Sequence, residues 1–215
     1  MRSPTEILEI LKSVGAILTD SHFVGTSGRH MSVYVNKDAL YPHTKETSAV
    51  CEAMAARHAG LEVDTVASPV LGGVILSQWV AHHLSRLKGK EVLAVYAEKT
   101  LEGGLVFTRG YDTFIKGKKV LVVEDTVATG GSLKKILDTV KSAGGIIVAA
   151  MVMVNRVPDE INTGTLGVPF SALVELPTPT YGAAECPLCK QGVPVNTAVG
   201  HGKKFLAAQS SNGNN

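Results

Sequence analysis

Two adjacent carboxylates, Glu124 and Asp125, follow four apolar residues, Val120-Leu121-Val122-Val123. A run of small and hydroxylated residues comes next, Thr126-Val127-Ala128-Thr129-Gly130-Gly131-Ser132. Charge at the end of so apolar a stretch is costly unless it is paired or used. Behind it, backbone N–H groups of a Thr/Gly loop, backed by a helix N-terminus, make an anion site. Acids placed ahead of such a loop suit a ligand with a phosphate at one end and hydroxyls or a metal ion beside it. A phosphorylated ribose has that shape.

A second glycine loop, Ser68-Pro69-Val70-Leu71-Gly72-Gly73, precedes an apolar helical pattern. Paired glycines let a backbone approach a ligand closely. One such loop could be a tight connection and nothing more; two on successive units, one carrying the acid pair, argue for a shared anionic ligand. Neither loop is GxxxxGK[ST] or GxGxxG, which excludes the nucleoside-triphosphate P-loop and the dinucleotide fingerprint. Arg156 follows a third apolar run, where a guanidinium could bind a carboxylate bidentately or join a surface ion pair. Cys186-Pro187-Leu188-Cys189 suggests half a zinc site or a redox pair. No second CxxC exists. Cys51 and His201 are the residues considered for completing four ligands, and metal binding at this motif is the lesser expectation. His82 and His83 read as surface or packing residues on a helix.

These residues need a frame that places them on one rim. Val120–Val123 and Ile146–Val154 read as strands buried on both faces of a parallel sheet, with shorter strands at 63–67 and 91–96 and an edge strand at 170–176. Helices are expected at 44–59, with Thr44 as N-cap, at 74–87 and at 133–143. Ser3-Pro4-Thr5-Glu6 is a capping box opening an N-terminal helix that Gly15 ends. Phe23 to Asn36 suggests a hairpin turning at Ser27-Gly28, its second strand being Ser32–Asn36. The connection from Ala97 to Tyr111 is long and glycine-containing, as in a lid or a hairpin that closes over a site. The whole reads as one α/β domain over residues 1–208, with a disordered tail at 209–215. Ligands of open α/β sheets sit at the strands' carboxyl ends, where both glycine loops fall.

Composition sets outer limits. A net charge of +2 over 215 residues does not suggest a nucleic-acid binder. No apolar run reaches membrane-spanning length, and the N-terminus lacks a signal-peptide core. Three cysteines argue against a disulfide framework and fit a cytoplasmic protein.

Glu124 to Ser132 resembles the 5-phosphoribosyl 1-diphosphate (PRPP) signature of type I phosphoribosyltransferases. The hairpin through Arg29-His30, the Arg156 position and the Cys-Pro-Leu-Cys tail resemble orotate phosphoribosyltransferases in particular. The resemblance runs from Ala16 to about Gly192. It implies a type I phosphoribosyltransferase fold: a central, mostly parallel sheet flanked by helices, with a small hood from the N- and C-terminal regions. It implies transfer of phosphoribosyl from PRPP to orotate with Mg²⁺ as cofactor, in a cytoplasmic homodimer that shares sites across its interface. Glu124 and Asp125 would hold the ribose hydroxyls, and Thr126, Ala128, Thr129, Gly130, Gly131 and Ser132, with Val127 between them, would cradle the 5-phosphate. Leu71, Gly72 and Gly73 would hold the pyrophosphate. Mg²⁺ would be carried by PRPP near Asp125, with no direct protein ligand assigned. Arg156, His30 and Thr129 would face the base. Lys99 and Arg109 would screen the leaving group, joining Glu124 and Asp125 as catalytic candidates.

The chain departs from that pattern in four places. Glu98 stands where the family's loop has arginine, Glu102 and Gly104 stand roughly where a lysine and a histidine are expected, His30 replaces a lysine, and Asn155, before Arg156, replaces the usual acid. These changes leave two alternatives beside orotate transfer: a phosphoribosyltransferase for another base, or a PRPP-binding regulatory protein with little catalysis.

Overall fold

The computed structural model describes residues 2–25 and 27–212, the last three by backbone alone. In chain order the strands are β1 (Ile17–Leu18), β2 (Phe23–Val24), β3 (His30–Met31), β4 (Tyr34–Val35), β5 (Thr65–Pro69), β6 (Leu93–Lys99), β7 (Leu105–Val106), β8 (Lys119–Val127), β9 (Ile146–Asn155) and β10 (Phe170–Glu175). The helices are α1 (Pro4–Ser13), α2 (Thr44–Arg57), α3 (Gly72–Lys88), α4 (Gly131–Ser142), α5 (Thr163–Leu166), α6 (Pro187–Lys190) and α7 (Gly202–Asn212). Six strands form one sheet in the order β10-β9-β8-β5-β6-β7, parallel throughout except for the antiparallel edge β7.

Alternation along the central strand divides the core. Leu121 and Val123 pack with Leu11, Met54, Leu76 and Leu84, on the face covered by α1, α2 and α3. Val120 and Val122 pack with Leu133, Ile136 and Val140 of α4 on the opposite face. A strand covered on both sides has no polar face to show, which is why its sequence is continuously apolar. The N-terminal helix has the expected capping box, with Ser3 and Glu6 each bonding the other's backbone N–H.

Element bounds differ from expectation where ligand-facing backbone continues a strand. β8 runs to Val127, so Glu124 and Asp125 lie inside it and not after it. Carboxylates are poor strand formers, but pairing with β9 continues through Glu124↔Val152 to Val127↔Asn155 and overrides that preference. Helix α2 is capped at His43, and Thr44 is its first residue. The N-terminal hairpin is also rearranged. The turn does fall at residues 25–29, closed by Gly25 N–H to the Arg29 carbonyl and Gly28 N–H to the Gly25 carbonyl. Its second strand is His30–Met31, whereas Tyr34–Val35 pairs with β1. Residues 209–212 of the expected disordered tail continue helix α7; 213–215 lie outside the described residues. No helix among the described residues is long and apolar enough to cross a membrane.

Candidate active site

Strands β5 and β8 are adjacent and parallel, so their C-terminal loops open side by side on one rim. The first loop leads into α3, and its Leu71 side chain is 83% exposed. Gly72 is held to glycine by its neighbours, because a Cβ there would run into Asp125 Oδ2 and the Tyr41 hydroxyl. The second loop leads through Gly130 into α4. Gly130 has φ +74°, and a Cβ would meet the Ile161 side chain. The first loop therefore packs directly on Asp125, the acid that leads into the second.

The two carboxylates have different surroundings. Asp125 is 5% exposed and accepts from Lys37 Nζ at 2.7 Å, from the Tyr41 hydroxyl at 3.3 Å and, on its other oxygen, from Thr126 Oγ1 at 3.1 Å. Burial works against charge on Lys37, but the adjacent Asp125 more than offsets it and the ammonium's pKa lies above its ordinary value. Burial and the same carboxylate push the Tyr41 phenol up. Glu124 is 7% exposed, and its Oε2 has no hydrogen-bond partner among the described residues. Burial pushes its pKa up to about 7, against a hydrogen bond from Ser132 that lowers it. Asp125 is thus held in place by three donors, whereas Glu124 keeps a free oxygen and a carboxyl that burial makes harder to ionise.

Beside the phosphate loop lies a cavity of about 270 Å³. Arg156, Thr129, Met31, Arg29 and Thr180 are among the residues that line it. The Arg156 backbone continues the sheet by donating to the Val127 carbonyl at 2.9 Å. Its side chain makes one contact with Met31 Sδ at 3.2 Å, and its Nε is buried without a partner among the described residues. Burial lowers its pKa from the usual guanidinium value, against a smaller opposing effect of Tyr34. Asn155, at the position where the family often has an acid, is pinned structurally: its side chain donates to the Ile161 carbonyl at 2.9 Å and accepts from Val157 N–H at 3.1 Å.

The long connection is a short hairpin. Glu98 and Lys99 pair with Val106 and Leu105, and the turn is closed between Thr100 and Gly104. It leans on α4, where Lys135 donates to the Gly103 carbonyl at 2.7 Å. Lys99 is exposed. Arg109 is not an unpaired charge over the site: its guanidinium bonds Glu98 Oε1 at 3.0 Å, while Thr108 donates to Glu98 Oε2 at 2.6 Å.

His30 does not line the cavity. It is fully buried on the other side of β3, with Nδ1 2.7 Å from His22 Nε2 and 3.4 Å from Cys189 Sγ. Strand alternation explains this placement, since Arg29 and Met31 take the cavity side and the residue between them must point away. Cys51, considered above as a partner for the CxxC motif, is a core residue of α2 packed with Val50 and Met54. Lys37 and Tyr41 were missed by sequence reasoning. They lie more than eighty residues from Asp125, and no local pattern marks them.

The fold and this rim define the class: a type I phosphoribosyltransferase. A model of the "Phosphoribosyl transferase domain" matches residues 36–162, which span both glycine loops, the hairpin and Arg156. An orotate phosphoribosyltransferase of Thermotoga maritima is 37% identical over 199 residues, covering 92% of this chain and all of the relative. One from Thermoanaerobacter sp. is 35% identical, covering 88% and 94%. The chain belongs to the phosphoribosyltransferase family, within its orotate phosphoribosyltransferase group. Crystal structures agree on the fold. The Mycobacterium tuberculosis orotate phosphoribosyltransferase complexed with Fe(III) dicitrate superposes with a TM-score of 0.63 at 20% identity, over 80% of this chain and 96% of that one. The same enzyme complexed with PRPP gives 0.61 at 21% identity, over the same shares.

Proposed function

We propose that this protein transfers the phosphoribosyl group of PRPP to orotate, giving orotidine 5′-monophosphate and pyrophosphate in pyrimidine nucleotide synthesis. The observation that carries the choice of acceptor is Arg156: a partly buried guanidinium lining a cavity beside the phosphate loop, its Nε unsatisfied. An acceptor with a carboxylate supplies what that group lacks.

The remaining roles follow from position. Thr126 to Ser132, at the head of α4, hold the 5-phosphate through backbone N–H groups and hydroxyls. Leu71, Gly72 and Gly73 hold the pyrophosphate. Asp125, held in place by Lys37, and Glu124 accept from the ribose hydroxyls. As pyrophosphate departs, positive charge grows at the anomeric carbon, and two carboxylates already in place favour it without reorganisation. Thr129 and Arg156 orient the base so that its ring nitrogen faces that carbon. The unpartnered Glu124 Oε2 fits a divalent cation carried in by PRPP, and Mg²⁺ there supplies charge neutralisation for the departing pyrophosphate. Lys99 reaches the leaving group from the hairpin, in a homodimer where that hairpin serves the neighbouring site. The working compartment is the cytoplasm.

The Glu98–Arg109 pair favours a second reading, in which the chain binds PRPP and has little turnover, because it removes a charge the leaving group would use. One experiment separates the two. Protein, PRPP and Mg²⁺ are mixed with orotate and the loss of orotate absorbance is followed, with uracil, hypoxanthine and adenine in parallel. Orotate turnover alone is the expected result. PRPP binding in a calorimeter with no turnover of any base would support the second reading.

A further inference from the structure

We propose that His22, His30, Cys186 and Cys189 form a Cys₂His₂ zinc site that fastens the C-terminal segment to the hairpin walling the base cavity. One donor atom from each of the four lies within 4.8 Å of every other. Cys186 Sγ is 3.7 Å and Cys189 Sγ 3.8 Å from His22 Nε2, and Cys189 Sγ is 3.4 Å from His30 Nδ1. A tetrahedral zinc with ordinary Zn–N and Zn–S bonds has ligand–ligand edges of about 3.3–3.8 Å. Of these four edges the His22–His30 one, at 2.7 Å, is shorter, and it has the length of the N–H···N bond that joins two imidazoles when no ion lies between them.

The surroundings are those of a structural site. His22 Nδ1 lies 2.8 Å from the Val193 carbonyl. Nδ1–H donates to that oxygen, which leaves the Nε2 lone pair directed at the thiols, as outer partners of zinc-bound histidines do. His22, His30 and Cys186 are buried, and the exposed Cys189 leaves a path for the ion. The thiols come from a tight turn, in which Lys190 N–H bonds the Cys186 carbonyl and Gly192 N–H the Cys189 carbonyl. A redox dithiol has no need of two buried imidazoles converging on it. Two neutral imidazoles and two thiols become a complete tetrahedral donor set when the thiols lose their protons to solvent on binding.

The site joins two distant stretches of chain, the β2–β3 hairpin and the segment at 186–189, and what it joins explains its use. Strands β2 and β3 have two residues each, too few to hold their own register. His30 exchanges backbone bonds with Tyr181, and Asn196 N–H bonds the His22 carbonyl. Arg29 and Met31, on either side of His30, line the cavity; Arg29 also bonds Thr180, and Met31 touches Arg156. The metal therefore fixes the base-side wall through the residue between two cavity residues. It is a positioning device, remote from the acid pair.

The test begins with the wild-type chain, purified under reducing conditions without chelator. Elemental analysis should find one zinc per chain, and Co²⁺ exchanged into it should show the absorption of a tetrahedral thiolate site. Cys186→Ser with Cys189→Ser should abolish both signals, lower the melting temperature and raise KM for orotate more than KM for PRPP. Cys51→Ser should keep the metal. A reduced wild-type chain that retains no zinc after exposure to excess Zn²⁺ and gel filtration overturns the proposal. So does zinc that persists in the double variant. Metal content is read without turnover, so a zinc-bearing chain inactive on orotate would count against the proposed reaction and leave this site standing.

Discussion

The two halves of the site are built in opposite ways. The half proposed to hold PRPP comes from two contiguous segments, 68–73 and 124–132, each spanning the end of a parallel strand and the start of a helix. The half proposed to hold the base is gathered from Gly25, Arg29 and Met31, from Thr129, from Arg156 and from Thr178 and Thr180. The first half is carried by β5 and β8 of the central sheet, buried over nearly their whole length, while the second hangs on two-residue strands and a histidine–cysteine cluster. The same loop-and-acid platform can thus be kept while the wall around the acceptor changes, because the wall is a separate assembly with its own fastening. The difference also predicts where damage spreads: a change in the PRPP half should affect all turnover, and one in the base half should affect the acceptor alone.

The largest test of that division is Asp125→Ala. It removes the fixed carboxylate and leaves Lys37 unpaired, so kcat/KM should fall about 10³-fold for any acceptor. Steady-state orotate assays check this, and a loss confined to KM for orotate would break the division. Gly72→Ala should mimic it at about 10²-fold, since the new methyl displaces Asp125 and Tyr41. On the other side, Arg156→Ala should lower kcat/KM for orotate about 10²-fold while the calorimetric Kd for PRPP stays within about twofold. Unchanged use of orotate would remove Arg156 from the base half.

The next prediction concerns stability. The Glu124 carboxyl has a folded-state pKa of about 7 against an ordinary 4.5. A raised acid pKa means the fold favours the protonated form, so stability present at low pH is lost as pH rises through 4.5 to 7. Glu124→Gln avoids that loss. In the absence of PRPP the variant should match wild type near pH 4 and exceed it by about 2–3 kcal/mol above pH 8, in urea titrations at the two pH values. A difference independent of pH would show that Glu124 is ionised at no such cost. The smallest effect is expected in the hairpin. Glu98→Gln releases the exposed Arg109 and should leave the melting temperature nearly unchanged, with KM for PRPP falling about twofold. A large gain in turnover would instead show that the ion pair restrains catalysis.

Much of the fold was legible because it is local. The runs at 120–123 and 146–154 announce buried parallel strands, Ser3 and Glu6 announce a helix start, and the two glycine loops fall where strands end. What was misread depended on partners. Ser32 to Asn36 alternates like a hairpin strand, yet alternation does not name the neighbour, and Tyr34–Val35 chose β1. Arg109 looked like an available cation until the hairpin register put Glu98 beside it.

By itself the sequence determined which strands are buried on both faces, where the anion-binding turns lie, and that two carboxylates stand between them. These are properties of neighbours along the chain, set by side-chain period and backbone freedom. Only the tertiary structure decided that Lys37 meets Asp125, that Arg156 lines a cavity with an unsatisfied nitrogen, and that His22 and His30 face Cys186 and Cys189. Those pairings span roughly 90 to 170 positions. Sheet order and hood docking set their distances, and nothing in the spacing of residues along the chain encodes either.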